Sequence, residues 1–122
     1  MEWDSHFLFE INDLYDYEPA ILPELSHIDR RSAVKNELKS RLKRHFLGRG
    51  EDFLDEITNP DVLREPAILL NLQMVFFANS SGRDVYADKA KTYADRFEEA
   101  MRRALDTLKF DGENSGGVTL VR

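Results

Sequence analysis

Apolar residues recur at helical spacing over most of the chain, and this pattern predicts an all-α fold. The clearest predicted helix covers residues 85–109, with apolar positions about one turn apart at Tyr86, Ala90, Tyr93, Phe97, Met101, Ala104 and Leu108. A second helix, from Pro66, is apolar nearly all round and must be enclosed. A third covers residues 26–47, is capped by Ser26 or Asp29 and has an apolar edge. We therefore expect a small bundle of three to four helices with a buried central helix and a long C-terminal helix.

Both ends of the chain depart from this pattern. The N-terminal segment is rich in aromatic residues and contains Pro19 and Pro23, which predicts short turns laid over the core or over a neighbouring molecule. Near the C-terminus the sequence "DGENSGG" cannot continue a helix, and the "VTLV" of residues 118–121 favours an extended conformation. The chain is therefore divided into a helical bundle, residues 1–111, and a hinge with an extended C-terminal arm, residues 112–122.

The C-terminal arm raises the question of what it pairs with. A single strand is not stable in water, and the only other strand-like sequence is "HFLFEI" near the N-terminus. We predict that the arm pairs with the backbone of another molecule or element, with a frayed terminus as the alternative. The residues expected to contact another subunit or partner are Gly116, Gly117, Val118, Thr119, Leu120, Val121, Trp3, Phe7 and Phe9.

Charge is distributed in bands, within a net charge of −6. Residues 1–26 contain seven acids and no Lys or Arg, residues 27–49 contain eight Lys or Arg and two acids, and residues 50–66 contain six acids and one Arg. Such bands favour packing of opposite charges, within the chain or between copies, or else a solvated basic helix flanked by acidic loops. The side chains available for charge pairing or DNA contact are Arg30, Arg31, Lys35, Lys39, Arg41, Lys43 and Arg44.

The sequence contains no recognisable catalytic or metal-binding motif. Without cysteine it can form no disulfide, thiolate zinc site or cysteine nucleophile. His6, His27 and His45 lack ligand spacing, and "DGEN" lacks the alternate ligands of a calcium loop. No apolar run approaches the ~20 residues of a membrane helix, and no signal peptide is recognisable. We therefore expect an intracellular, non-enzymatic protein with no catalytic residue, metal, cofactor or membrane partner.

The last predicted helix contains "YADRFEEAMRRAL", and an Asp- and Gly-containing stretch with a β-prone tail follows it. Together with the "LYDYEPAILPEL" segment, the basic helix and the apolar middle helix, this order resembles tailed-bacteriophage head–tail connector proteins. These are the small adaptor or head-completion proteins that sit below the portal ring. The resemblance is strongest over residues 84–117 and is carried by Ala90, Tyr93, Phe97, Glu98, Glu99, Ala100, Ala104, Leu105, Asp111 and Gly112.

The resemblance implies a structural subunit of the virion, assembled in the host cytoplasm into a ring, in that family often of twelve copies. Its arm would reach a neighbour or the portal protein, and the ring would also meet the next tail or neck protein. The inner wall of the ring would form part of the DNA channel and contact the passing DNA non-specifically. The residues themselves leave two other functions open: a small DNA-binding regulator that uses the basic helix 27–47, and a helical adaptor or inhibitor that docks one protein partner.

Overall fold

The structure, a computed structural model, describes residues 2–50 and 52–111, and these ranges are built from helices. Four α-helices follow in chain order: α1 (Ile11–Tyr15), α2 (Arg31–His45), α3 (Arg64–Ala78) and α4 (Asp84–Thr107). Short 3-10 turns lie before and between them, at Trp3–Ser5, Leu22–Glu24, Phe53–Glu56 and Pro60–Leu63. The described ranges contain no strand, and the prediction of a small all-α bundle is confirmed. The predicted C-terminal arm, residues 112–122, lies outside the described residues.

The central helix of the bundle is α3, as its apolar sequence predicts. Its buried residues face several directions around the helix: Pro66, Ala67, Ile68, Leu69, Leu70, Asn71, Leu72, Val75 and Phe76. A short turn joins α3 to α4, and the two helices pack against each other more extensively than any other pair. The enclosure of α3 is incomplete at its C-terminal end, where Phe77 is 72% exposed. The prediction that α3 is covered on all sides is therefore correct except in its last turn.

The apolar face predicted for the last helix is buried over its whole length. All seven residues of the helical pattern, from Tyr86 to Leu108, are less than a tenth exposed. Phe76 of α3 packs against two of them: its ring is stacked on Tyr93 with centroids 5.8 Å apart, and it lies 5.7 Å from Tyr86. The α3–α4 hairpin is thus held together by aromatic rings as well as by aliphatic side chains and alanines.

Two asparagines of α3 position the start of α2. Asn71 is fully buried; its Oδ1 accepts a hydrogen bond from the backbone N–H of Arg30 at 2.9 Å, and its Nδ2 donates to the carbonyl of Ile28 at 2.8 Å. Asn79 makes the same pair of bonds with the backbone of Ser26, at 3.4 and 3.3 Å. Because these bonds hold residues 26–30 against α3, that segment does not join the helix. Neither of the predicted capping residues, Ser26 and Asp29, occupies the N-cap position: α2 begins at Arg31, and its N-cap is Arg30.

The acidic N-terminal band is paired with α3 and α4. Glu18 is buried, and its carboxylate accepts hydrogen bonds from the Tyr93 hydroxyl and from Lys89 Nζ, the latter at 3.1 and 3.2 Å. Burial, together with the bond to Glu18, raises the pKa of Tyr93 above its ordinary value. A further ion pair joins Arg64 of α3 to Asp13 at 2.7 Å. In these pairs the acids of the N-terminal band meet basic residues of α3 and α4 in the same chain, and not those of the basic band, residues 27–49.

The residues after α4 are fastened to the loop between α2 and α3. Phe110 forms an isolated antiparallel bridge with Ile57, and both side chains are buried. The side chain of Asn59 adds two bonds: its Nδ2 donates to the carbonyl of Thr107 at 3.0 Å, and its Oδ1 accepts from the N–H of Lys109 at 2.7 Å. The chain is thus fixed to the bundle up to the last described residues.

Candidate functional site

The N-terminal aromatic residues, predicted as partner contacts, lie in different environments. Trp3 and Phe9 are buried in the core of their own chain, whereas Phe7 is 47% exposed. Their burial means that Trp3 and Phe9 stabilise this bundle, and only Phe7 presents much of its ring to the surface. The sequence left open whether these rings cover their own core or a neighbour, and the structure places two of the three on their own core. The other predicted contacts, Gly116–Val121, lie outside the described residues.

Two of the predicted basic residues hold the N-terminal segment on α2. Lys35 is buried, and its Nζ donates a hydrogen bond to the carbonyl of Trp3 and lies 5.6 Å from the centre of the Phe7 ring. This burial lowers the pKa of Lys35. The guanidinium of Arg31 lies 4.3 Å from the same Phe7 ring and pairs with Asp29 at 3.1 Å. Neither cation is therefore presented openly to DNA or to another subunit.

Arg41 joins α2 to α4. Its Nη1 and Nη2 donate to the two carboxylate oxygens of Glu98 at 2.7 and 2.6 Å, and its Nε donates to Glu37 at 3.1 Å. The guanidinium also lies 5.0 Å from the ring centre of Phe97. The hydrogen bonds from Arg41 lower the pKa of Glu98, and the bonds to Glu98 raise that of Arg41. Arg41 thus links α2 to α4 within one chain.

The remaining basic residues lie at two places on the surface. Arg30 is half-buried at the start of α2, and its Nε is buried without a hydrogen-bond partner among the described residues. Lys39 is half-buried, while Lys43 and Arg44 are exposed, and none of the three makes an ion pair within the described ranges. The other exposed residues of α2 include no Lys, Arg, Asp or Glu: Ser32, Ala33, Asn36, Ser40 and His45. The predicted basic face is thus confined largely to the C-terminal half of the helix.

Three shallow pockets follow one another along the outer side of α2, and we call them together the α2 groove. The first, of about 190 Å³, lies between Phe7 and α2, and the second, also about 190 Å³, lies between Lys39 and Asp55. The third, the end pocket, has a volume of about 330 Å³ and lies beyond Lys43. Neighbouring pockets share Lys39 and Lys43, so the three are adjacent, and both lysines and aspartates line the middle one.

The α2 groove is lined mainly by polar and charged side chains in its first two parts. Ser32 and Asn36 line its first part, and Asp52 and Asp55 join the lysines in its middle. A nucleophile requires a base within hydrogen-bond reach, and no such pair is formed by these side chains in the described residues. Within the same ranges no group of three or more His, Asp or Glu side chains could hold a metal ion.

The Arg41–Glu98 pair predicts an acid-dependent loss of stability. The folded state lowers the pKa of Glu98 below its ordinary value of 4.5, so the pair stabilises the fold above that pH, and this contribution is lost as the pH falls through the folded value. Glu98→Gln is expected to be less stable than the parent at pH 7 and to show a shallower decline below about pH 4.5. Urea unfolding at pH 7 and at pH 3 would measure both effects.

Glu99→Gln is the matched control for this prediction, because Glu99 is the next residue of α4 and pairs with Arg103 on the exposed surface at 3.2 Å. Exposed i,i+4 pairs contribute little, so this variant is expected to follow the parent at both pH values. Equal acid sensitivity of the Glu98 variant and the parent would contradict the role given to Arg41.

Comparisons with family models, with curated proteins and with solved structures give no match for this chain. The class of protein that the described residues define is a small all-α bundle with adjacent shallow pockets along α2. None of the helices in the described ranges is long and apolar enough to cross a membrane.

Proposed function

We propose that this chain is a structural, non-catalytic subunit of a tailed-phage head–tail connector ring. It would assemble with copies of itself, dock below the portal protein, meet the next tail or neck protein, and line part of the channel for the passing DNA. Its place would be the virion, after assembly in the host cytoplasm. The sequence pattern of residues 84–117 is the basis of the proposal, because the long last helix and the Asp–Gly stretch occur there and the β-prone tail of residues 118–121 follows them, in the order typical of connector subunits.

The observation that carries the proposal furthest is the fastening of the chain after α4. The Ile57–Phe110 bridge and the bonds of Asn59 give residues 112–122 a fixed point of departure on the bundle. An arm that starts from a rigid point loses less conformational entropy when it joins a neighbour than one that starts from a frayed helix end. This arrangement supports a fastening role for the arm.

The distribution of basic residues favours weak contact with DNA over sequence-specific binding. Lys35 and Arg41 make contacts within the chain, so few cations of α2 are available to phosphates. A net charge of −6 also disfavours tight binding of nucleic acid. Both features suit a channel wall past which DNA must slide, and they count against a regulator that uses helix 27–47 for recognition.

The test of the proposal is the mass of the chain in solution with and without its arm. We expect the full chain to form rings by sedimentation and electron microscopy, and a chain ending at residue 111 to remain a monomer with unchanged helical circular dichroism. A full-length control with Val118, Leu120 and Val121 replaced by Ser keeps the length of the arm and is expected to behave like the truncation. Rings formed by the truncated chain, or a full chain that never assembles, would contradict the proposed function.

A further inference from the structure

The end pocket exposes apolar surface that no described residue covers. It lies at the C-terminal end of α2, has a volume of about 330 Å³, and is lined by Lys43, Phe46, Leu47, Arg49, Gly50 and Phe53. Leu47 is 82% exposed, more than any other large apolar residue of the described ranges. The pocket therefore combines one strongly exposed leucine with the cations Lys43 and Arg49 at its rim.

The pocket lies beside the place where the chain leaves the described structure. The centre of the Phe110 ring is 5.1 Å from that of Phe46 and 6.0 Å from that of Phe53, so Phe110 packs against two of the residues that line the pocket. The guanidinium of Arg49 lies 4.0 Å from the same Phe110 ring. The next residue, Asp111, donates its backbone N–H to the carbonyl of Glu56 at 2.7 Å. Residues 112–122 therefore begin next to the pocket.

The sequence of residues 112–122 matches the lining of the pocket. Its apolar part is Val118, Leu120 and Val121, and Glu113 precedes it. In an extended segment alternate residues point to the same side, so Val118 and Leu120 would be presented together. An apolar cavity of about 150 Å³ holds a benzene-sized group, so the end pocket has room for about two aliphatic side chains.

We propose that the end pocket of one copy receives Val118 and Leu120 from the arm of a second copy. The choice of a second copy over the same chain rests on the proposed function. The length of the arm permits it, because residues 112–117 can span about 20 Å when extended, enough to reach beyond their own bundle. The α2 groove of one subunit would then continue into the contact that joins it to the next.

Disulfide cross-linking of the full chain tests the pairing directly, because the chain has no cysteine of its own. Leu47→Cys and Leu120→Cys, made in separate chains and mixed, are expected to form a covalent dimer on mild oxidation, since a disulfide requires Cα atoms about 4.4–6.8 Å apart. Val85→Cys mixed with Leu120→Cys is the matched control. Val85 is 60% exposed but lies at the N-terminal end of α4, whereas Phe110 beside the pocket follows the C-terminal end of that helix. We therefore expect no cross-link with Val85→Cys above background.

The outcomes separate this proposal from the proposed function. If rings form but Leu47→Cys and Leu120→Cys do not cross-link within them, the pocket is not the receptor and the ring remains. If the two substitutions in one chain give only a disulfide within dilute monomers, the arm occupies its own pocket and the second-copy proposal is overturned. As a further measurement, Leu47→Asp is expected to weaken assembly at least tenfold with unchanged circular dichroism; normal assembly of this variant would also overturn the proposal.

Discussion

Phe76→Ala is expected to lower the free energy of unfolding by about 3–5 kcal/mol, the largest effect of any single substitution considered for this bundle. Phe76 is fully buried on α3, and its ring is stacked on Tyr93 and packed beside Tyr86, both on α4. Truncation to Ala removes the free energy gained by burying the ring, and it leaves a cavity between α3 and α4, the two helices with the most extensive contact. Because the rings of α4 are held by their own helix, they cannot collapse fully into this space.

Phe77→Ala is the matched control, since it removes the same side chain from the next position of the same helix. Phe77 is 72% exposed, so its loss should change the free energy of unfolding by no more than about 0.5 kcal/mol. Urea unfolding followed by circular dichroism would compare the two variants with the parent. Similar losses in the two variants, or a loss under 1 kcal/mol for Phe76→Ala, would contradict the packing of the α3–α4 hairpin described above.

Asn71→Ala is expected to cost about 2–3 kcal/mol, because it leaves the N–H of Arg30 and the carbonyl of Ile28 without their hydrogen-bond partner. Both groups lie just before α2 begins and are held against α3, where their hydrogen bonds are partly buried. The loss should therefore exceed that expected from the helix propensities of Asn and Ala, which on their own favour Ala.

Asn79→Ala provides the comparison for Asn71. Asn79 makes the same type of bonds with Ser26, but they are longer, at 3.3 and 3.4 Å, and lie near the surface, where water can replace them. A loss below about 1 kcal/mol is expected. Hydrogen exchange of the Arg30 amide would locate the effect, because it should accelerate in the Asn71 variant alone. Unchanged protection of that amide in Asn71→Ala would show that the bond does not order the segment.

Much of the helical architecture was predictable because it depends on local periodicity. The apolar positions of α4 fall on one face at the spacing of the helix, and every one of them is buried. The apolar sequence of α3 identified the central helix. Such patterns are a property of neighbouring residues in one element, so the sequence alone indicates which side chains the core will take.

The candidate site was much less predictable, since it depends on which elements meet. Lys35 and Arg41 read as solvated cations in the sequence, but the first is covered by the N-terminal segment and the second faces Glu98 of α4. The exposed side chains of α2 before Lys43 are therefore small and uncharged. No sequence motif marks the groove beside them. Periodicity fixes the face of a helix that is buried, but it does not say what covers the flanks of that face.

By itself the sequence determined the class of fold, the two packed helices α3 and α4 and the absence of disulfide chemistry. Only the tertiary structure decided that Trp3 and Phe9 belong to their own core, that α2 begins at Arg31, and that an open apolar pocket lies beside the end of the described chain. The physical reason is that helix formation and amphipathicity are set by residues one turn apart. The partners of a buried lysine or asparagine, in contrast, are set by contacts between residues 30 to 60 positions apart.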